Sequence, residues 1–334
     1  MTEPAPESPG ADMASLGADY EALRRGIGAF RPAREVLAVR GPDALEYLQG
    51  QCSQDVAALA PGGLADSLLL APDGKLVALI RVQRIADDEF VIDVAGGFGE
   101  TVAARLRRFK LRSKLDLEPL DWSCVALRGA GAVAAFDLGP GGDRGLTAVT
   151  ERPGARVLPV AWNGTEGVDL LGADPSGAVP GSARWCAAAA WEALRVEAGI
   201  PEMGRELDER TIAAEADLLD RTVSFTKGCY TGQELVARLD ARGNRVARHL
   251  GGVVVDPTTT TEATSLLGAA LFAGASDKAV GHCTSAAWCP GLGSLAALGY
   301  LHRSVEVPGP VTVEVPDADG TVRVGAEARW LPLR

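Results

Sequence analysis

None of the six cysteines, at positions 52, 124, 186, 229, 283 and 289, pairs with another in a Cys-x-x-Cys motif. That argues against a zinc ribbon or a thioredoxin-like redox site, and it leaves no ferredoxin-like spacing for a resident iron–sulfur cluster. No metal site is expected. Scattered single thiols suit a reducing compartment. No stretch approaches the roughly 18 uninterrupted apolar residues of a membrane span. Residues 1–17 have neither a basic start nor an apolar run. No secretory signal is read there, and a cytoplasmic protein is expected. Positive charge is in deficit, with 33 basic against 44 acidic residues and a net charge of -11. Such a chain repels phosphate backbones, so direct nucleic-acid binding is not expected. No internal repeat is visible.

What remains is an ordinary globular composition, 47% hydrophobic and 23% charged, in 334 residues. That length exceeds one typical core and points to two or three compact units. Residues 1–18 are rich in Pro, Ala, Gly and Glu and read as a disordered tail. An α/β region follows from 19 to 247. Glu35 to Val39 reads as a strand, and Gly41-Pro42-Asp43 leads into a helix carrying Leu45 and Leu48. Pro72-Asp73-Gly74 is a hairpin turn between Ser67–Leu70 and Lys75–Arg84, and Phe90–Val94 is another strand. Residues 99–112 form an amphipathic helix with Arg105, Arg107, Arg108, Lys110 and Arg112. It is either a solvated face or a local anion site. Gly139–Gly145 reads as a loop, and a helix is expected between Ser182 and Gly199. From 248 to 334, short apolar runs separated by turns predict a small β-barrel.

Gly129-Ala130-Gly131 imitates a dinucleotide fingerprint. The glycines at 139, 141 and 142 follow too soon for the long helix that motif requires, so a turn into a short helix is expected. The segment Lys227-Gly228-Cys229-Tyr230-Thr231-Gly232-Gln233-Glu234 is more informative. Thr231 and Glu234 have capping-box spacing, and Leu235, Val236 and Leu239 continue an apolar face, so a helix is predicted just after Thr231. Cys229 then lies near the positive end of the helix dipole, with Lys227 close in sequence. Both favour a thiolate. A small cysteine buried in a tight turn is the competing reading.

This octapeptide resembles the K-G-C-Y-x-G-Q-E signature of the YgfZ family at every fixed position. Gly41-Pro42-Asp43-Ala44 with Leu48-Gln49-Gly50-Gln51-Cys52-Ser53-Gln54-Asp55-Val56 is similar to that family's N-terminal segment. Leu194 to Pro201 resembles the R-x-E-A-G-x-P stretch shared with the aminomethyltransferases. Gly281 to Ser285 and Ala297 to Tyr300 resemble that superfamily's C-terminal barrel. The resemblance implies an α+β, three-lobed, aminomethyltransferase-like fold around a central cavity for tetrahydrofolate or a derivative. It implies that Glu197 grips the pterin ring, as a carboxylate can by accepting paired hydrogen bonds. Trp191 falls at a position bordering the folate, where it either stacks on the ligand or packs in the core. Tyr230, Arg242 and Arg248 are placed among the folate contacts, with Arg238 and Arg245 as further cations on or after the same helix.

The transferases carry an acidic pair in the strand after the first hairpin, and here it falls on Val77 and Ala78, which move no protons. Aminomethyl transfer is therefore not expected. The resemblance implies a folate-binding accessory protein that supports iron–sulfur cluster assembly or repair in client enzymes, including tRNA-modifying ones. Cys229 is its working thiol, with Lys227 beside it. The implied partners are folate and iron–sulfur client or assembly proteins, without a membrane. The alternatives are a folate-dependent one-carbon transferase and an interaction module whose cavity has closed.

Overall fold

The computed structural model describes residues 13–137, 146–259, 261–274, 276–317 and 320–333. In chain order the first elements are α1 (Met13–Arg24), β1 (Gly28–Phe30), β2 (Arg34–Arg40), α2 (Ala44–Gln51), β3 (Gly63–Leu70) and β4 (Leu76–Arg84). Then come β5 (Glu89–Ala95), α3 (Gly99–Lys110), β6 (Asp116–Leu120), β7 (Ser123–Arg128), α4 (Ala130–Ala135) and β8 (Leu146–Ala148). The middle of the chain forms β9 (Thr150–Arg152), β10 (Ala155–Trp162), β11 (Thr165–Gly172), β12 (Arg184–Trp185), α5 (Ala188–Ala198), α6 (Leu219–Thr222) and α7 (Gln233–Asp240). The C-terminal strands are β13 (Arg248–Val255), β14 (Ala270–Phe272), β15 (Gly281–Cys289), β16 (Ser294–His302), β17 (Gly309–Asp317) and β18 (Gly320–Arg329).

Three lobes result. One six-stranded sheet runs β6-β2-β5-β4-β3-β8, a second runs β12-β1-β7-β11-β10-β9, and the last six strands close into a barrel in the order β13-β16-β15-β14-β17-β18. The fold is α+β with a small C-terminal barrel, as the sequence predicts. The turn Asp73–Gly74 joins β3 and β4, which pair from Leu64↔Gln83 to Leu70↔Leu76. Alternate residues of β4 are buried, the pattern expected of a strand with unlike faces. Val36, Leu64 and Val91 of the first sheet cluster with Cys124, Leu158 and Leu171 of the second. The two sheets therefore meet through a small apolar contact. Closure of the barrel removes the open edges that invite mispairing.

Two expectations change. The segment read as tail over 1–18 is helical from Met13, because Tyr20 and Leu23 are both 1% exposed and anchor it to the main core. Residues 1–12 and the loop read at Gly139–Gly145 lie outside the described residues. The helix expected after Ser182 starts only at Ala188. The Arg184 and Cys186 amides bond to Ile27 and Ala29 carbonyls, drawing β12 alongside β1. Asp19 then accepts the Ala187 amide at 2.9 Å at the helix entry. Gly199, at φ 68°, ends α5 in the left-handed conformation that glycine adopts without strain. The glycine-rich decoy is a six-residue helix, α4. No helix among the described residues is long and apolar enough to cross a membrane.

Candidate functional site

A cavity of about 460 Å³ opens between the two sheets and the face of α5. That is within the usual range for a small-molecule site. Its aromatic wall is Phe30 and Trp191, stacked with centroids 4.5 Å apart and planes 20° from parallel. Trp162 also lines it, with the Arg221 guanidinium 4.2 Å above its ring. Arg221 is fixed in turn by Asp66 at 2.7 Å.

The remaining wall is a chain of buried charges that stitches the sheets together. Arg34 of β2 and Arg81 of β4 both bond to Asp93 of β5, which is wholly buried. Arg81 reaches across to Asp169 of β11 at 2.5 Å, and Asp169 also accepts from Arg128 of β7 at 2.8 Å. Burial pushes the Asp93 carboxyl upward, but Arg34 and Arg81 outweigh it and hold it below the usual carboxylate range. Burial acts on Asp169 likewise and is outweighed by Arg128 and Arg81, leaving it well below that range. Both carboxylates are therefore charged at neutral pH.

On α5, Trp191 and Arg195 are one turn apart and both line the cavity. Glu197 is two residues further on and faces elsewhere. It is 0% exposed, accepts from the Tyr20 hydroxyl at 2.5 Å and the Gly291 amide at 3.1 Å, and does not line the cavity. The expected pterin grip by Glu197 is thus corrected. Helical phase sends its carboxylate between α1 and the barrel, where it ties the lobes together. The carboxylates that do line the cavity are Asp66, Asp169 and Glu202.

The segment holding Cys229 docks against the other motif region, Leu48 to Val56. The Lys227 ammonium donates to the carbonyls of Gln49 at 2.6 Å, Cys52 at 2.7 Å and Gln54 at 3.1 Å. An ammonium has three donors, so Lys227 is committed to backbone rather than to Cys229. Burial depresses its pKa and drives the Cys52 thiol up to about 11. Gly232, at φ 84°, lies where a Cβ would come 2.5 Å from the Ala71 carbonyl oxygen and 2.7 Å from Leu70 Cβ. This close approach seats the segment on the β3–β4 turn and explains its glycine. Cys229 is exposed, whereas Cys52, Cys124, Cys283 and Cys289 are buried. The reading of Cys229 as a buried turn residue is therefore set aside.

Other expectations need correction. The helix begins at Gln233 with Gly232 as its cap, and no capping box forms. Instead Gln233 accepts the Tyr230 amide through its side chain at 3.1 Å, and the Thr231 amide goes to Gly50. Tyr230 is half-buried 5.1 Å from the Lys227 ammonium, and burial raises its hydroxyl to about 12. It does not line the cavity, nor does Arg242, which is exposed in the turn after α7. Arg248 bonds to Glu215 at 3.0 Å and covers the Tyr300 ring, beside a different groove that includes His282 and His302. On the basic helix, Arg105 turns inward to the Leu70 carbonyl and Gln51. Val77 and Ala78 do not line the cavity, and β4 contributes Leu79, Ile80 and Arg81 there instead.

No known family profile matches the chain. It is 31% identical over 222 residues to the tRNA-modifying protein YgfZ of Enterobacter sp. strain 638, covering 61% of this chain and 65% of that one. It is 29% identical over 235 residues to a mitochondrial iron–sulfur cluster assembly factor IBA57 homologue of Pyricularia oryzae, covering 67% of this chain and 56% of that one. The matched stretch is thus under two thirds of either relative's length. The fold resembles that of aminomethyltransferase T of the Bartonella henselae glycine cleavage system, with a TM-score of 0.79 at 21% identity over 96% of this chain and 89% of that one. The sequence likeness is thus to YgfZ proteins, and the fold is that of an aminomethyltransferase.

Sequence reasoning missed Arg34, Arg81, Asp93, Arg128 and Asp169. The signal was present. Asp93, Arg81 and Asp169 are single charges inside otherwise apolar strand runs, Phe90–Ala95, Leu76–Val82 and Val168–Leu171. A charge in a buried strand demands a partner, so several such charges imply a network. Periodicity alone does not reveal which strands face one another.

Proposed function

We propose that this chain binds a reduced folate in the cavity and supports iron–sulfur enzymes, tRNA-modifying ones among them, through the Cys229 thiol. The observation that carries the reading is the division of labour. A cavity with an aromatic stack and fixed charges lies at the sheet interface, and the exposed Cys229 stands outside it on a segment braced by Lys227. The names of the relatives, a tRNA-modifying protein and an iron–sulfur cluster assembly factor, point the same way.

The cavity's residues fit a flat heteroaromatic ligand. Trp191 and Phe30 supply a stacking wall, and Trp162 a second aromatic surface. Asp66 and Glu202 offer acceptors for a donor-rich ring edge, a task that Glu197 cannot perform from its buried position. A bound tetrahydrofolate would supply a one-carbon carrier and a reduced, electron-rich ring. Cys229 needs no movement to meet a partner protein. Its thiolate can ligate an iron of a client's cluster while that cluster is built or repaired, and Lys227 holds the loop that presents it.

Calorimetric titration of tetrahydrofolate into wild type, Trp191→Ala and Cys229→Ala tests the reading. Binding to wild type and Cys229→Ala with a loss of tenfold or more in Trp191→Ala is expected. In cells lacking the chain, wild type restores the activity of an iron–sulfur tRNA-modifying enzyme and Cys229→Ser does not. A wild type that ignores folate defeats the first half, and full rescue by Cys229→Ser defeats the second. One observation favours folate-dependent one-carbon transfer instead. Asp66, on β3, is a carboxylate in the cavity held, among the described residues, through one oxygen. Tetrahydrofolate-dependent release of formaldehyde that is lost in Asp66→Asn would establish that reading.

A further inference from the structure

The buried charges between the sheets do not balance. Arg34, Arg81 and Arg128 supply three guanidinium groups against two carboxylates, Asp93 and Asp169, leaving one positive charge in excess. Asp93 is 0% exposed, Asp169 5% and Arg128 6%. An excess charge held so far from water is costly unless a counter-charge meets it.

The excess is exposed to the cavity at Arg128. This guanidinium is anchored through one nitrogen. Nη1 donates to the carbonyls of Leu127 and Val168, each at 3.1 Å, and to Asp169 at 2.8 Å. Nε is buried and has no partner, and Nη2 makes no hydrogen bond among the described residues. Nη2 is therefore the nitrogen left to meet an anion in the cavity, through one charge-assisted hydrogen bond. The group lines the cavity, nearly equidistant from the stacked rings, 5.6 Å from the Phe30 centroid and 5.5 Å from that of Trp191. The lining carboxylate Glu202 is instead held beside Arg195 and Arg205, so it does not neutralise Arg128.

We propose that the cavity is an anion site, in which the ligand's carboxylate docks on Nη2 of Arg128 while its ring lies against Trp191. This rests on the cavity being the ligand site, as proposed above, and it fixes the ligand's class and direction. For a folate the carboxylates belong to the glutamate, so the aminobenzoyl-glutamate end lies at Arg128 and the pterin lies away from it.

The test compares three probes by calorimetry on the full chain: tetrahydrofolate, tetrahydropteroyl methylamide, which has no carboxylate, and 4-aminobenzoyl-glutamate, which lacks the pterin. Wild type is expected to bind tetrahydropteroyl methylamide about 10- to 100-fold more weakly than tetrahydrofolate, the usual worth of a hydrogen-bonded charge. 4-Aminobenzoyl-glutamate is expected to bind measurably. Arg128→Lys keeps the charge and loses the Nη2 donor, and it should narrow the gap between the two pteridines. The wild-type comparison needs no variant, so it stands even where Arg128→Lys folds poorly. Equal binding of tetrahydrofolate and tetrahydropteroyl methylamide overturns the anion site and leaves folate binding intact. Binding of 4-aminobenzoyl-glutamate without any folate binding supports the anion site and overturns the folate reading. No binding by any of the three overturns both.

Discussion

The Tyr20 hydroxyl donates to Glu197 at 2.5 Å across 177 residues of sequence, joining the first helix to the end of α5. The Gly291 amide completes the arrangement from the barrel, and the Leu333 amide bonds to the Glu197 carbonyl. One side chain thus holds three parts of the fold. Glu197→Ala should lower unfolding stability by about 1–3 kcal/mol, because it removes the acceptor of the buried Tyr20 hydroxyl and of the Gly291 amide. Chemical denaturation measures this. Tyr20→Phe should cost less, since it also removes the donor. Full stability in Glu197→Ala, with loss of ligand binding alone, would return Glu197 to the binding site.

Cys229 should be the fastest thiol in the native protein. It is exposed, Cys186 is half-buried, and the other four are at most 3% exposed. Burial raises the Cys52 thiol to about 11 and the Cys283 thiol to about 12, which slows them further. Titration with an aromatic disulfide should show one rapid equivalent that disappears in Cys229→Ala. The buried thiols should react only on unfolding. A rapid phase that survives the substitution would show that another cysteine carries the reactivity.

The sequence made the fold legible where its pattern was local. Alternation in β4, the turn at Asp73–Gly74 and the short strands after 247 needed no knowledge of distant contacts. The site was less legible because its decisive contacts are not local. Trp191 and Glu197 share one helix, and a count of six residues, about 240° further around the helix, already separates their faces. That Tyr20 would receive Glu197 depends on docking of α1, which no periodicity announces. Lys227 shows the same limit. It is close to Cys229 in sequence, yet its ammonium bonds to carbonyls about 175 residues away.

The arginine–aspartate chain should make stability sensitive to acid. The folded Asp93 and Asp169 carboxyls titrate below their unfolded value of about 3.9, so the unfolded chain takes up protons first. Their contribution is fully present above that value and is lost as pH falls through the lower, folded values. Denaturation midpoints between pH 6 and pH 2 should therefore fall most steeply below about 4. Asp93→Asn should cost about 3–5 kcal/mol at neutral pH, because Arg34 and Arg81 lose a buried acceptor. It should also flatten the acid slope. An unchanged slope in Asp93→Asn would place the acid-labile groups elsewhere.

Gly232 should tolerate no side chain. Its φ of 84° disfavours any L-residue, and an added Cβ would meet the Ala71 carbonyl oxygen at 2.5 Å and Leu70 Cβ at 2.7 Å. The neighbouring backbone belongs to β3 and the hairpin turn and cannot yield as a flexible side chain would. Gly232→Ala should therefore lift the 227–240 segment off the turn, at a cost of about 1–3 kcal/mol. Lys227 would then lose its carbonyl partners at Gln49, Cys52 and Gln54, since the same segment carries it. Hydrogen exchange should report faster opening confined to 227–240 and to the end of α2, with the barrel amides unchanged. Gly228 offers the control. A Cβ there meets nothing within 4 Å, and Gly228→Ala should leave exchange nearly as in wild type. Equal effects from the two substitutions would show that the segment is held by something other than the close approach at Gly232.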